Sequence, residues 1–237
     1  MTKPSVSFLI ATLAFFLWAS AASGGDTTEV FTAGALNQSG GLEYTENHAV
    51  SYENEKVTKS RTLYFDPAGR MIGELVSEYL PSPQFNSYSF KDMRAGYEDG
   101  VSVEGERLRL FRKKSPGANP DSAYLRMAPD QVVGQGFHHF LRLNLEAVAA
   151  GEIFHIKLVM PSRLDQFNFR IRKVKMEGQT LHIRLEIDNW FLRIFAPYVD
   201  CEYDLSTRRL LRYVGISNLE DGSGSHRKVD IVYSHQN

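Results

Sequence analysis

"GFHHFLRLNLEAVAAGE", residues 136–152, is the longest stretch of this chain with helical spacing. Its apolar residues fall at Phe137, Phe140, Leu141, Leu145 and Val148, the i, i+3, i+4 rhythm of a helix with one apolar face. Gly151 follows an alanine-rich end, where a left-handed residue terminates helices. The spacing predicts a helix over residues 137–149. The stretch decides the fold because the sequence on both sides of it has a different period.

On its C-terminal side the period is two. In "TLHIRLEID" (180–188), Leu181, Ile183, Leu185 and Ile187 alternate with His182, Arg184, Glu186 and Asp188. That is a strand with one buried and one wet face. "EIFHIKLVMP" (152–161) places Ile156, Leu158 and Met160 on one face, and "QFNFRIRKVKM" (166–176) does the same with Phe167, Phe169 and Ile171. Glu177-Gly178 joins the last two strands as a tight hairpin. "RRLLRYVGISNL" and "RKVDIVYS" flank the glycine-rich turn "EDGSGSH" (220–226).

The N-terminal side is also strand and turn. "KSRTLYFDPAGRMIGELVSEYL" (59–80) is a hairpin about Asp66-Pro67-Ala68-Gly69, with Pro presetting φ and Gly taking the positive-φ position. Asp99-Gly100 reads as a second turn, and "KKSPGANPDS" (113–122) as a loop. A short second helix is expected at residues 123–127, and residues 24–41, small and polar, read as a flexible leader. Residues 42–237 then hold about eight to eleven strands joined by short turns, an antiparallel meander. The expected fold is mainly β: a curled antiparallel sheet, a half-barrel, with the 137–149 helix packed on its concave face.

The chain opens "MTKPSVSFLIATLAFFLWASAASGG". One lysine, an apolar run over residues 8–18 and small residues at Ala19-Ser20-Ala21 and Ala21-Ala22-Ser23 form a secretory signal peptide, residues 1–23, cleaved near 21–23. Export to the periplasm is expected. Removing Lys3 takes the net charge from −1 to −2, which gives no reason to bind nucleic acid. Cys201 is the only cysteine, so no internal disulfide forms, and its strand context predicts burial.

Motifs for chemistry are absent. There is no Gly-x-Ser-x-Gly, no phosphate loop and no dinucleotide fingerprint. His138 and His139 are adjacent, about 100° apart on a helix, and do not share a face as metal-ligating histidines four apart do. A partly exposed pair beside the helix N-terminus is expected. No catalytic residue, metal or cofactor is assigned. An enzyme would need two or more of His138, His139, His155, Asp188 and Asp204 to converge in one cleft. Two features remain. "RLRLFRKK" (107–114) and "RIRKVK" (170–175) put arginines on one strand face, a solvated surface or a patch for an anionic partner. "NWFLRIFAPYV" (189–199) packs Trp190, Phe191, Leu192, Ile194, Phe195 and Tyr198 into a segment that fits neither period. It is either a connection through the core or an exposed apolar lip.

The helix with its glycine cap (137–151), the strands of 153–187 and the ending "YDLSTRRLLRYVGISNLEDGSG…KVDIVY" (203–233) together resemble exported bacterial half-barrel proteins. These are the periplasmic lipoprotein carriers of the LolA/LolB type and uncharacterised exported proteins of similar pattern. The resemblance covers roughly the C-terminal half and brings no catalytic motif. It implies a concave apolar surface able to take acyl chains. The resulting expectation is a monomeric, non-enzymatic periplasmic protein that binds a lipid or other apolar ligand through Phe137, Phe140, Leu141, Leu145, Trp190, Phe191 and Phe195. The alternative is a cell-envelope module that contacts a protein partner and has no small-molecule ligand.

Overall fold

The structure, a computed structural model, describes residues 26–194, 196–220 and 226–235. The expected signal peptide lies outside the described residues, as does Phe195. Seven hairpin-linked strands come first: β1 (Asp26–Leu36), β2 (Leu42–Glu53), β3 (Lys56–Phe65), β4 (Met71–Tyr79), β5 (Asn86–Asp92), β6 (Tyr97–Glu104) and β7 (Arg107–Lys113). β8 (Asp121–Arg126) and the short β9 (Gln131–Val133) lead into α1 (Gly136–Ala149). β10 (Phe154–Met160), β11 (Asp165–Glu177), β12 (Thr180–Ile187), β13 (Val199–Asp204), β14 (Leu210–Glu220) and β15 (His226–His235) complete the chain.

All fifteen strands form one sheet in the order β8-β7-β6-β5-β4-β3-β2-β1-β15-β14-β13-β12-β11-β10-β9. Every pair is antiparallel except β9–β10, which is parallel because α1 is the crossover between them. The expected curled antiparallel sheet with one helix is therefore the observed architecture. Alternation places the core: Leu181, Ile183 and Leu185 of β12 are buried against Leu141, Leu145 and Val148 of α1, with Ile171, Cys201 and Tyr203. A second cluster, Ala33, Ala35, Tyr44, Tyr64, Leu75, Phe90, Leu219, Val229 and Ile231, lines the rest of the concave side.

The two ends of the sheet overlap instead of joining. Val132 belongs to the core under α1, whereas its neighbour Val133 packs with Val101, Leu108, Leu110 and Val159. Successive strand residues point to opposite faces, so the β9–β10 end is covered on both sides, by α1 and by β6–β7. This is why Val159, not Met160, is fully buried on β10. The sheet is rolled like a scroll.

Four local expectations are corrected. Residues 26–36, read as part of a leader, are the strand β1 in the middle of the sheet. Their small side chains are packing: Ala33 and Ala35 sit beneath Tyr44, Tyr64 and Tyr233. Residues 123–127 are not helical: 123–126 lie in β8, where pairing with β7 overrides the helix preference of Ala, Leu and Arg. The described residues hold fifteen strands, not eight to eleven: β1 lies in the expected leader, β8 in the expected short helix, and the three-residue β9 is too short to show a period. Asp99-Gly100 lies inside β6, and the turn before it is at Gly96, whose φ is 64°. Asp99 is buried and accepts a 2.9 Å hydrogen bond from Tyr97 Oη. Gly100 is required for close approach: a Cβ there would run into Tyr88 O and lie 2.7 Å from Phe111 Cζ. Gly100→Ala is thus expected to destabilise by about 2 kcal/mol, read as a lower denaturant midpoint at unchanged m-value. An unshifted midpoint would mean that β5 and β7 give way without strain. The 66–69 turn forms as expected, with Gly69 at φ 79° and Asp66 Oδ1 accepting from Ala68 N and Arg70 N.

Candidate functional site

The expected ligand-lining residues of α1 are together, but they form a filled core. Leu141, Leu145 and Val148 are 0% exposed. Phe137 and Phe140 pack on the same cluster at its rim, and Phe140 meets Phe154 edge-on at 5.6 Å. Two open spaces lie elsewhere. One cavity of about 120 Å³ is lined by Glu43, Tyr44, Arg94, Ser217 and Arg227 among others, smaller and more polar than pockets that hold drug-sized molecules. A shallow groove of about 440 Å³ runs past Phe85, Met127 and Pro129.

Beside the first turn of α1 is a buried polar chain that sequence reading missed. Ser60 Oγ and Ser77 Oγ both donate to Gln135 Oε1, at 2.6 and 3.1 Å. Gln135 Nε2 donates to Thr62 Oγ1 at 3.1 Å. Thr62 Oγ1 continues the chain to His48 Nδ1 at 3.0 Å, and His48 Nε2 lies 2.8 Å from Glu46 Oε2. Each link satisfies a group that burial would otherwise penalise. Three strands, β2, β3 and β4, and the residue before α1 contribute one side chain or two each. No linear motif spans them.

Of the expected partly exposed pair, His138 is half-buried and His139 is buried, and both rings reach this interior. His138 stacks on Tyr203 at 5.6 Å, with Nδ1 2.8 Å from its hydroxyl. His139 is buried edge-on against Tyr79 at 4.7 Å. Burial holds the His138 pKa well below the usual imidazole range, with His139, Arg142, His48 and His235 adding to the effect. Burial and then Arg142 bring His139 down to about 4. Both rings are neutral at pH 7. His155 and Asp188 pair at 2.9 Å on the outside, and Asp204 caps its own turn through Ser206 and Thr207. Of these five groups, His138 and His139 lie together inside, His155 and Asp188 pair on the outside, and Asp204 stands apart. Among the described residues no group of three or more His, Cys, Asp or Glu is placed to hold a metal. Cys201 is buried as expected, and burial pushes its thiol up to about 12.

The segment after β12 is the exposed alternative, not a connection through the core. Trp190 is 73% exposed, Phe191 56%, Leu192 53% and Ile194 68%. Its backbone is nevertheless tied down. Asn189 Oδ1 accepts from Phe191 N and Leu192 N at 3.0 and 3.1 Å, an Asx-type cap on the turn Leu192–Ile194. Arg193 folds back, donating from Nε to Ile187 O at 2.9 Å and from Nη2 to Asp188 O at 2.6 Å. Ala196 N reaches Leu192 O at 3.0 Å. Polar groups thus point inward and apolar side chains outward.

The base of this lip carries fixed charge. Arg170, Arg172 and Arg193 surround the buried Glu186, with Arg172 Nε at 3.0 Å and Arg193 Nε at 3.7 Å from Oε1. Their hydrogen bonds hold its carboxyl below the usual range despite burial. Arg184 pairs with Asp200 and lies 3.7 Å over the Tyr198 ring, which Lys228 approaches at 5.1 Å. With Asp188, three acids face five bases there, so the surroundings of the lip are net positive.

No family model matches the chain, and no curated protein matches it. Among solved structures, one similar chain is a beta-barrel-like protein of a domain of unknown function from Brucella abortus. It shares 8% identity, the match covers 92% of this chain and 100% of that one, and the TM-score is 0.48. No helix among the described residues is long and apolar enough to cross a membrane.

Proposed function

We propose that this protein is an exported, non-enzymatic protein of the cell envelope that binds lipid at a membrane surface through the apolar lip of residues 189–199. The observation that carries the reading is the exposure of Trp190, Phe191, Leu192 and Ile194 on a turn held by the Asn189 and Arg193 side chains. Apolar side chains alone would suit any hydrophobic partner. A segment entering lipid must also satisfy its backbone groups, and here the Asn189 side chain meets Phe191 N and Leu192 N while Arg193 meets Ile187 O and Asp188 O. Tryptophan beside phenylalanine suits the boundary between headgroup and acyl chain. The positive surroundings select an anionic surface.

The lipid contact differs in place from the one the half-barrel carriers imply. The concave core is filled by Leu141, Leu145 and Val148, so acyl chains meet the rim of the scroll and not its interior. Trp190 and Phe191 remain ligand residues in this reading, and Phe137, Phe140, Leu141 and Leu145 become structural.

Co-sedimentation with vesicles tests it. The chain from residue 24 onward, without the apolar leader, is expected to pellet with phosphatidylglycerol-containing vesicles at low salt. It should pellet less with phosphatidylcholine alone, and less again when salt screens the charges. Failure to pellet with either vesicle would end the lipid reading and leave the lip to a protein partner.

A further inference from the structure

The scroll has two free edges, and the protein treats them differently. The β9 edge is sealed: Val133 N donates to Gln84 O at 3.0 Å, and Gln84 Nε2 covers Pro129 O at 2.8 Å and Gln131 O at 3.2 Å. The β8 edge is covered at one end only, where Arg126 O accepts from Gln131 Nε2 at 3.0 Å. It ends the strand order, and four of its six residues are exposed. Sheets ordinarily hide or blunt such an edge, because its outward N–H and C=O groups are a template for another strand.

The same edge gathers unpaired cations. Arg107 lies directly opposite Arg126, and Arg109 opposite Tyr124, all on the outer face. Arg107 lies 4.9 Å over the Tyr124 ring, and Tyr124 is 51% exposed. Elsewhere in the sheet arginines are matched with acids, as Arg184 is with Asp200 and Arg212 with Asp230, and at the far end of this strand pair Arg112 is matched with Asp121 of β8. Arg107, Arg109 and Arg126 form no ion pair among the described residues. Like charges directly across a strand pair destabilise it, so their retention here needs a different reason.

We propose that the β8 edge receives an extended acidic segment of a protein partner as an added strand, with the partner's carboxylates on the outer face beside Arg107, Arg109 and Arg126. Added strands take their affinity from main-chain hydrogen bonds and their specificity from alternate side chains. The inner positions beside Ala123 and Leu125 accept small apolar residues, and the outer ones accept Asp or Glu. A second copy of β8 would not fit, because its outer face carries Ser122, Tyr124 and Arg126 and no acid. This surface is independent of the lipid-binding lip.

The test uses the protein as its cell produces it and a labelled peptide of about nine residues alternating Val and Glu, followed by fluorescence anisotropy. The peptide should bind, and its Val–Lys counterpart should bind at least about tenfold more weakly. The variant Arg107→Glu/Arg109→Glu/Arg126→Glu should lose a similar factor. Should that variant fail to fold, N-methylated peptides on the unaltered protein decide. Methyl groups on the edge that faces β8 should abolish binding, and those on the opposite edge should leave it intact. Equal binding of the two methylated peptides, equal binding of the Glu and Lys peptides, or no binding of the Glu peptide would each overturn the proposal.

Discussion

His139→Phe is expected to lose about 3 kcal/mol less stability than the parent chain when the pH falls from 7 to 4. His139 is buried with its pKa lowered to about 4, whereas in the unfolded chain it titrates near the ordinary value of about 6.5. As the pH drops, the unfolded state therefore takes up the proton first. The stability contributed by keeping this ring neutral is complete above about pH 6.5 and is lost progressively down to about pH 4. Phe retains the ring that meets Tyr79 edge-on and carries no proton to gain. His138 acts in the same direction, since burial, with His139, Arg142, His48 and His235, holds its pKa well below the usual imidazole range. Asp99 acts in the opposite direction. Burial raises it to about 6, so its folded form gains relative stability as the pH falls through that value. Comparing two chains that share Asp99 cancels its contribution, and His138 changes only by the part that His139 supplies. Denaturant unfolding of each chain at pH 7 and at pH 4 supplies the four free energies. Equal acid losses in the two chains would mean that His139 is solvated in the folded protein.

The sequence carried the parts of this fold that depend on one strand at a time. Leu181, Ile183 and Leu185 alternate, and Phe137 to Val148 recur at helical spacing, because each element buries a single face. What it hid depends on two elements at once. Ala33 and Ala35 look like linker residues until the tyrosines of the neighbouring strands are placed over them. Val132 and Val133 are both buried because the scroll closes over both faces of β9. Gly100 breaks an alternating strand for the sake of Tyr88 and Phe111 on its neighbours. The polar interior was invisible for the same reason. Ser60, Thr62, Ser77 and Gln135 lie on separate elements, and only the rolled sheet turns them toward His48. The candidate site was legible as a segment but not as a surface. An apolar run such as residues 190–194 has one composition whether it crosses a core or leaves it, and Asn189 and Arg193 settle which.

Trp190→Ala combined with Phe191→Ala is expected to weaken binding to anionic vesicles by about 100-fold, which is about 2.7 kcal/mol. The two side chains are 73% and 56% exposed, so most of their apolar area is available to leave water when the lip enters lipid. Each should contribute about 1 to 2 kcal/mol. Neither holds the fold: the turn is fixed by the Asn189 side chain and by Arg193 on Ile187 O and Asp188 O, and the variant leaves those bonds in place. Unfolding midpoints of the two chains should therefore coincide within about 0.5 kcal/mol, which separates a binding defect from a folding one. Arg184→Gln tests the electrostatic half of the same contact. It removes a cation beside Tyr198 while the apolar tip stays intact, so binding should weaken mainly at low salt and converge with the parent at high salt. If the double variant binds as the parent does while Arg184→Gln weakens binding at every salt concentration, charge alone holds the protein on the vesicle and the lip does not enter it.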